Sequence, residues 1–198
     1  MQYFSTLPKI VKSGSDGTSV LMTNLMARAS IMPEFLKNPL IYYQYDIQEG
    51  DTPEIIAHKY YGDSYRFWIV LFVNQIIDPQ WDWPMDSTTF NKFIQDKYQE
   101  FNPYSQIHHY EKTITQYDRN TQVTTIDKIV IDELAYDELL ETNNTYTLPT
   151  GIVDITITKQ EISYYNYELD LNESKRNIKL LNANYVDEIE SQLKKLMA

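Results

Sequence analysis

Cysteine is absent from the 198 residues, which excludes disulfide scaffolds, thiol nucleophiles and cysteine-based zinc sites together. The absence fits a protein made in a reducing cytoplasm. Glycine is scarce, at 5 residues, so few backbone cradles for phosphate can be built. No Gly-x-Ser-x-Gly turn, phosphate loop or dinucleotide fingerprint occurs, and no cofactor is expected. Long apolar runs are missing too. The longest, Phe67 to Val73, falls well short of the roughly 18 to 20 residues that a membrane helix needs. Met1-Gln2-Tyr3-Phe4 lacks a basic stretch followed by an apolar core, so export by the usual route is not expected. Basic residues are in deficit, 17 against 28 acidic ones, for a net charge of −11. Such a chain repels phosphate backbones and anionic lipid, which argues against nucleic acid and membrane as partners.

What is abundant is aromatic. Phe, Trp and Tyr make up 14% of the chain, with 17 tyrosines among them. Tyrosine joins an apolar face to a hydrogen-bonding tip and suits surfaces that are buried when a partner arrives. It also simply favours β-strands. Both readings stand.

Texture divides the chain into three. Residues 1–38 read as an N-terminal arm: Ser13-Gly14-Ser15-Asp16-Gly17 is a flexible patch, and Pro33 and Pro39 interrupt the stretch beyond it. Leu21, Leu25 and Met26 share a helical face, so a short helix over Val20 to Ser30 is expected. Residues 39–101 begin with a strand at Ile41 to Ile47. Thr52-Pro53 is an N-cap with proline at the first helical position, and Gly62 is a left-handed stop. Asp63 or Ser64 caps a second helix, whose stretch Phe67 to Val73 is apolar nearly all round and so buried on several sides. Asn74 closes it. Asp86 or Ser87 starts a third helix with Phe90, Phe93, Ile94, Tyr98 and Phe101 on one stripe. Residues 102–198 read as a β-rich domain. Tyr110 to Tyr117 and Gln122 to Ile131 form a hairpin, and Asp132 to Glu141 a short acidic helix. Ile152 to Ile157 and Ile162 to Leu171 read as strands. A last helix from Ala183, capped by Asn182, lines up Val186, Ile189, Leu193 and Leu196. The fold class is α+β.

The order strand, Gly50-Asp51-Thr52, helix, Tyr61-Gly62-Asp63, helix, Asn74 resembles a LysM module. Two departures point elsewhere than the cell wall. Tyr60-Tyr61-Gly62-Asp63-Ser64-Tyr65-Arg66-Phe67-Trp68 is similar to the aromatic-rich variant in phage tail and baseplate proteins. The usual closing strand is replaced by Asp78-Pro79-Gln80-Trp81-Asp82-Trp83-Pro84 and another helix. The layout as a whole resembles the baseplate wedge proteins of T-even contractile-tailed phages, the gene product fifty-three family. Tyr167 to Leu181 also looks like the C-terminal strand-and-turn of such tail proteins. The resemblance implies a non-enzymatic virion protein, assembled in the host cytoplasm, that joins neighbouring wedges around the hub of a six-fold baseplate. Its implied partners are other wedge and hub proteins.

Candidate chemistry is thin. Glu54 and His58 lie one helical turn apart, either a solvated face or two metal ligands lacking a third. His108 and His109 are adjacent and in a strand would face opposite ways. Asp132, Glu133, Asp137, Glu138 and Glu141 form either a solvated acidic face or a docking site for a basic partner. A glycosidase needs two carboxylates converging on a cleft, and no such pair stands out. Trp81 and Trp83, with Pro84, would form an aromatic platform if the segment were extended. They either cap the module's own core or meet a partner. In glycan-binding LysM modules the groove runs between the Gly-Asp-Thr turn and the loop after the second helix. Here that implies Gly50, Asp51, Thr52, Asn74, Gln75, Ile76 and Ile77. A neighbouring protein would fill this groove in a baseplate. The alternative occupant is peptidoglycan, with the chain targeting the cell wall.

Overall fold

A computed structural model describes residues 3–13, 17–27, 29, 38–149 and 151–197. After a 3-10 turn at Tyr3–Thr6 come strands β1 (Lys9–Ser13), β2 (Ser19–Thr23) and β3 (Tyr42–Asp46). Helices α1 (Pro53–Tyr61), α2 (Phe67–Val73), α3 (Pro79–Asp82) and α4 (Ser87–Lys97) come next. Then come β4 (Ile107–Asp118), β5 (Val123–Ile131), α5 (Glu133–Glu138), β6 (Thr142–Leu148) and β7 (Gly151–Ser163). Last are α6 (Tyr164–Ser174), β8 (Asn177–Leu181) and α7 (Val186–Met197). The α+β class is as expected. By contacts the chain falls into two units, residues 1–87 with 173–198, and residues 88–172.

Two expected elements take another form. The helix expected over Val20 to Ser30 gives way to β2, which pairs antiparallel with β1 from Lys9↔Thr23 to Ser13↔Ser19. Residues 28 and 30 lie outside the described part. Shared helical spacing loses here to strand pairing across the Ser13–Gly17 segment, which joins β1 to β2. Ile162 to Leu171, expected as a strand, is mostly α6. The Ser163 hydroxyl accepts from the Asn166 amide at 3.2 Å and caps the helix. Glu168 and Asn172, four apart, are then buried on one helical face. Expected strands also merge: Ile152 to Ile157 belongs to one long strand, β7, and β6 has no sequence signal strong enough to separate it.

The first unit is built on β3 and β8, paired antiparallel from Tyr42↔Leu181 to Asp46↔Asn177. The order strand, helix, helix, strand is therefore completed from the far end of the chain. Thr52 caps α1 by accepting from the Ile55 amide, and Gly62 ends it at φ 70°, where a side chain would be strained. α1 contributes Ile56, Ala57 and Tyr61 to the core, α2 Trp68, Ile69, Val70 and Val73, and β8 Ile178, Leu180 and Leu181. α7 adds Val186, Leu193 and Met197, with Ile189 packed beside them. Leu196, expected on that stripe, is 71% exposed. Met197 lies eleven residues beyond Val186, about three full turns, so it returns to the buried face while Leu196 falls short of it. Arg66 ties α7 down through Glu190 at 3.1 Å and Asp187 at 3.2 Å.

The second unit carries a sheet ordered β5-β4-β7-β6, antiparallel throughout. Its register places Ile114, Ile129, Ile155 and Ile157 on one face and Thr113, Thr115, Thr156 and Thr158 on the other. α4 meets α6 through the aromatic pair Phe90 with Tyr165, and Tyr98, just after α4, packs on Tyr164. Phe90 and Ile94 of the expected stripe are buried. α4 ends before Tyr98, and Phe101 meets Tyr164 from beyond the helix at 5.0 Å. Between the two helices Glu168 accepts from Lys97 and from the Tyr98 hydroxyl, both at 2.6 Å. Burial, and then that carboxylate, drive the Tyr98 hydroxyl far above its usual range.

Candidate functional site

The Gly-Asp-Thr turn is held by its central residue. Gly50 supplies φ 80°, a conformation other residues enter only with strain. Asp51 is 7% exposed, yet its carboxylate is fully engaged. It accepts from Lys59 and the Tyr45 hydroxyl at 2.6 Å each, and from the Gln48 amide at 3.2 Å. Burial alone would raise the Asp51 carboxyl, but the bonds from Lys59, Tyr45 and Gln48 hold it below the usual carboxylate range. The bond to Asp51 in turn, with desolvation, pushes the Tyr45 hydroxyl up to about 12.

On the other side, Asn74 ends α2 and reaches β8. Its side-chain amide donates to Val70 O and Lys179 O, and its oxygen accepts from Lys179 N, each at 2.8 Å. Gln75 takes φ 57° and is exposed, Ile76 is half-buried, and Ile77 is 76% exposed.

The segment after Ile77 lies between these two sides. It is not extended: Asp78 caps α3, so Trp81 and Trp83 do not form a flat pair. Trp81 is 55% exposed, while Pro84 is buried and Trp83 half-buried. Asp82 accepts from the Ile77 and Asp78 amides at 3.3 and 3.1 Å. Its neighbour Trp83 donates its indole N–H to Asp51 O at 3.0 Å. Two consecutive side chains thus bridge the loop after α2 to the Gly-Asp-Thr turn. The space between is split into two depressions. One of about 320 Å³ is lined by Asn74, Gln75, Ile76, Asp82 and Lys175 among others; the second, of about 160 Å³, by Gly50, Asp51, Thr52, Trp83 and Pro84 among others.

Several residues at this place carry no signal in the sequence. Lys175 donates to Trp81 O at 2.6 Å, and Arg176 donates to Ile47 O at 3.2 Å across 129 residues. Glu49 accepts from the Ser87 amide and hydroxyl at 2.6 and 2.7 Å and pairs with Arg176 at 3.4 Å. Ser87, and then Arg176, hold the Glu49 carboxyl below its usual range. Lys59 could have been suspected, since it stands two turns after Asp51 on a helix that Asp51 precedes.

Several of the remaining candidates have structural partners. His108 and His109 are expected on opposite faces of a strand. A register shift between Ile107 and His109 instead sets their Nδ1 atoms 2.8 Å apart, with His108 stacked on Tyr167. Among the described residues no group of three metal-type side chains assembles. Glu54 and His58 are exposed on α1. Asp132 caps α5 through the Ala135 amide at 2.7 Å, and Glu141 accepts from the Lys159 amide at 3.1 Å. No described helix is long and apolar enough to cross a membrane.

Compared with protein-family models, residues 16–197 match the family described as Base plate wedge protein 53. No curated protein matches the chain.

Proposed function

We propose, because the chain belongs to the phage base plate wedge protein 53 family, that it is a non-enzymatic structural part of a contractile-tail baseplate. It joins adjacent wedges around the central hub through contacts with other wedge and hub proteins. One observation besides the family carries this reading. Large apolar side chains stand open to water at many places, among them Val11 at 66%, Leu21 at 61%, Val130 at 67% and Leu140 at 79%. Apolar surface on that scale fits a protein whose stable state is inside an assembly.

The strand, helix, helix, strand order of β3, α1, α2 and β8 supports a LysM-like module, interrupted before its closing strand. Its groove is bridged by Asp82 and Trp83 of the same chain. That bridge favours a structural use of the module over the alternative, peptidoglycan binding, because a glycan would have to displace the Trp83–Asp51 and Asp82–loop bonds. Gly50, Asp51, Thr52, Asn74, Gln75, Ile76, Ile77, Trp81, Trp83 and Pro84 then act mainly by shaping a contact surface, with exposed Trp81 and Ile77 its apolar points.

Quantitative mass spectrometry of purified virions against a known tail protein tests the proposal. The expected result is a fixed copy number matching six-fold symmetry. Absence from particles, together with pelleting on purified cell-wall sacculi, would move the function to the cell wall.

A further inference from the structure

Among the described residues, two strand edges are left unguarded. Sheet edges are ordinarily protected by charge, proline or cover, because an open edge invites another strand. In the β1–β2 hairpin, β1 carries Lys9 and Lys12, a guarded edge. β2, Ser19-Val20-Leu21-Met22-Thr23, has no charge and no proline, and all five residues are exposed. Among the described residues β2 pairs only with β1. The sheet of the second unit repeats the asymmetry. Its β5 edge carries Asp127 and Lys128. Its β6 edge, Thr142-Asn143-Asn144-Thr145-Tyr146-Thr147-Leu148, is uncharged and lacks proline and glycine, and six of its seven residues are exposed.

The hairpin cannot stand on its own strength. Two strands alone are marginal in water, and here both faces are apolar: Val11 faces Leu21 on one, Ile10 faces Met22 on the other. Residues flanking it are fixed, since Leu7 is buried in the core of the first unit and Ala27 and Ala29 pack against that core. The hairpin is thus a held and exposed element. Lys9 and Lys12 are the only charged residues in 3–13 and 17–27. The β6 edge comes directly after Asp132, Glu133, Asp137, Glu138 and Glu141, so the charges flanking the two edges are opposite in sign.

We infer that β2 of one copy adds to the β6 edge of a second copy, extending the four-stranded sheet to six strands across the contact. The added hairpin would leave β1, with its lysines, as the new outer edge. Because the two surfaces differ, the contact is head-to-tail and can repeat from copy to copy around a closed ring. This rests on the assembly role proposed above and names the surface and the partner for it. Main-chain pairing supplies the contact and the Lys–carboxylate attraction its direction.

Sedimentation velocity of the full chain tests this over a range spanning dissociation constants from ~1 µM to ~1 mM. Val20→Lys and Asn144→Lys each place a guarding charge on one edge, with Val20→Thr and Asn144→Thr as uncharged controls and circular dichroism as the check on folding. The wild type and both threonine variants should self-associate more weakly as salt rises. Each lysine variant alone should lose about tenfold or more in affinity. An equal mixture of the two lysine variants should recover a complex that stops at two chains, since each supplies the edge the other has lost. A monomeric wild type over the whole range overturns the inference, as does a mixture that fails to recover. So does association lost in Asn144→Lys but untouched in Val20→Lys, which would mean β6 pairs with β6. None of these outcomes bears on the virion count, so the baseplate role and this contact can fail separately.

Discussion

Asp51 is a buried carboxylate made tolerable by three donors, and its replacement separates charge from shape. Asp51→Asn keeps the volume but loses the charge-assisted bonds to Lys59 and Tyr45, at a cost of about 2 kcal/mol at neutral pH. The folded carboxyl titrates below its ordinary value. Its stabilisation is therefore complete above the unfolded value of about 3.9 and is lost as pH falls through the folded one. Denaturant midpoints of wild type and variant should differ at pH 7 and draw together as pH falls below about 4. A gap as wide at pH 3 as at pH 7 would remove the charge from the explanation. Two tyrosines offer a second contrast. The Tyr61 hydroxyl donates to Leu181 O at 3.1 Å, whereas the buried Tyr42 hydroxyl finds no partner among the described residues. Tyr61→Phe should cost about 1 kcal/mol, and Tyr42→Phe should be neutral or mildly stabilising, because it removes a polar atom that burial leaves unsatisfied. Equal losses in thermal melts would contradict that difference.

Among the elements, those whose ends are set by local chemistry could be read from sequence. Thr52-Pro53 and Gly62 bound α1, Asp63 and Asn74 bracket α2 with its preceding turn, and Asn182 caps the turn that leads into α7. Elements decided by distant pairing could not. β2 resembles a helix start until β1 is beside it, and α6 is rich in the tyrosines that strands favour. The site shows the same split. The Gly50-Asp51-Thr52 turn and Trp83 were legible, while the bonds that Lys175 and Arg176 add depend on residues with no local mark. Asn74 is the test of how an element end is fixed from afar. Its amide donates to carbonyls on α2 and β8 while its oxygen takes the Lys179 N–H. Asn74→Ala should cost about 2 kcal/mol, from bonds lost at partly buried backbone groups. Asn74→Asp should not rescue it, since a carboxylate accepts from Lys179 N but donates to neither carbonyl. Full recovery in a urea melt of the Asp variant would show that the donated bonds contribute nothing.

At the scale of the molecule, the chain leaves its first unit at Ser87 and returns to it at Glu173. The core of that unit draws Ile178, Leu180, Leu181, Val186, Leu193 and Met197 from the returning segment. The described part of the first 87 residues offers no substitute for them, since among the described residues β3 has its partner strand only in β8. The departure and return points are also close. Glu49 holds the Ser87 amide at 2.6 Å with one oxygen and Arg176 at 3.4 Å with the other. Removing residues 88–172 and joining Ser87 to Glu173 through a short Gly-Ser linker should therefore leave a unit that folds by itself. It should show a cooperative thermal melt and a near-ultraviolet dichroism signal from Trp68 and Tyr61. Ending the chain at Asn172 should do the opposite, because it deletes β8 and α7 and exposes Ile56, Ile69 and Val70. If the truncated chain kept its fixed tertiary signal while the excised one lost it, the core would have to be assembled from residues 1–172, and the closing role of β8 would be wrong.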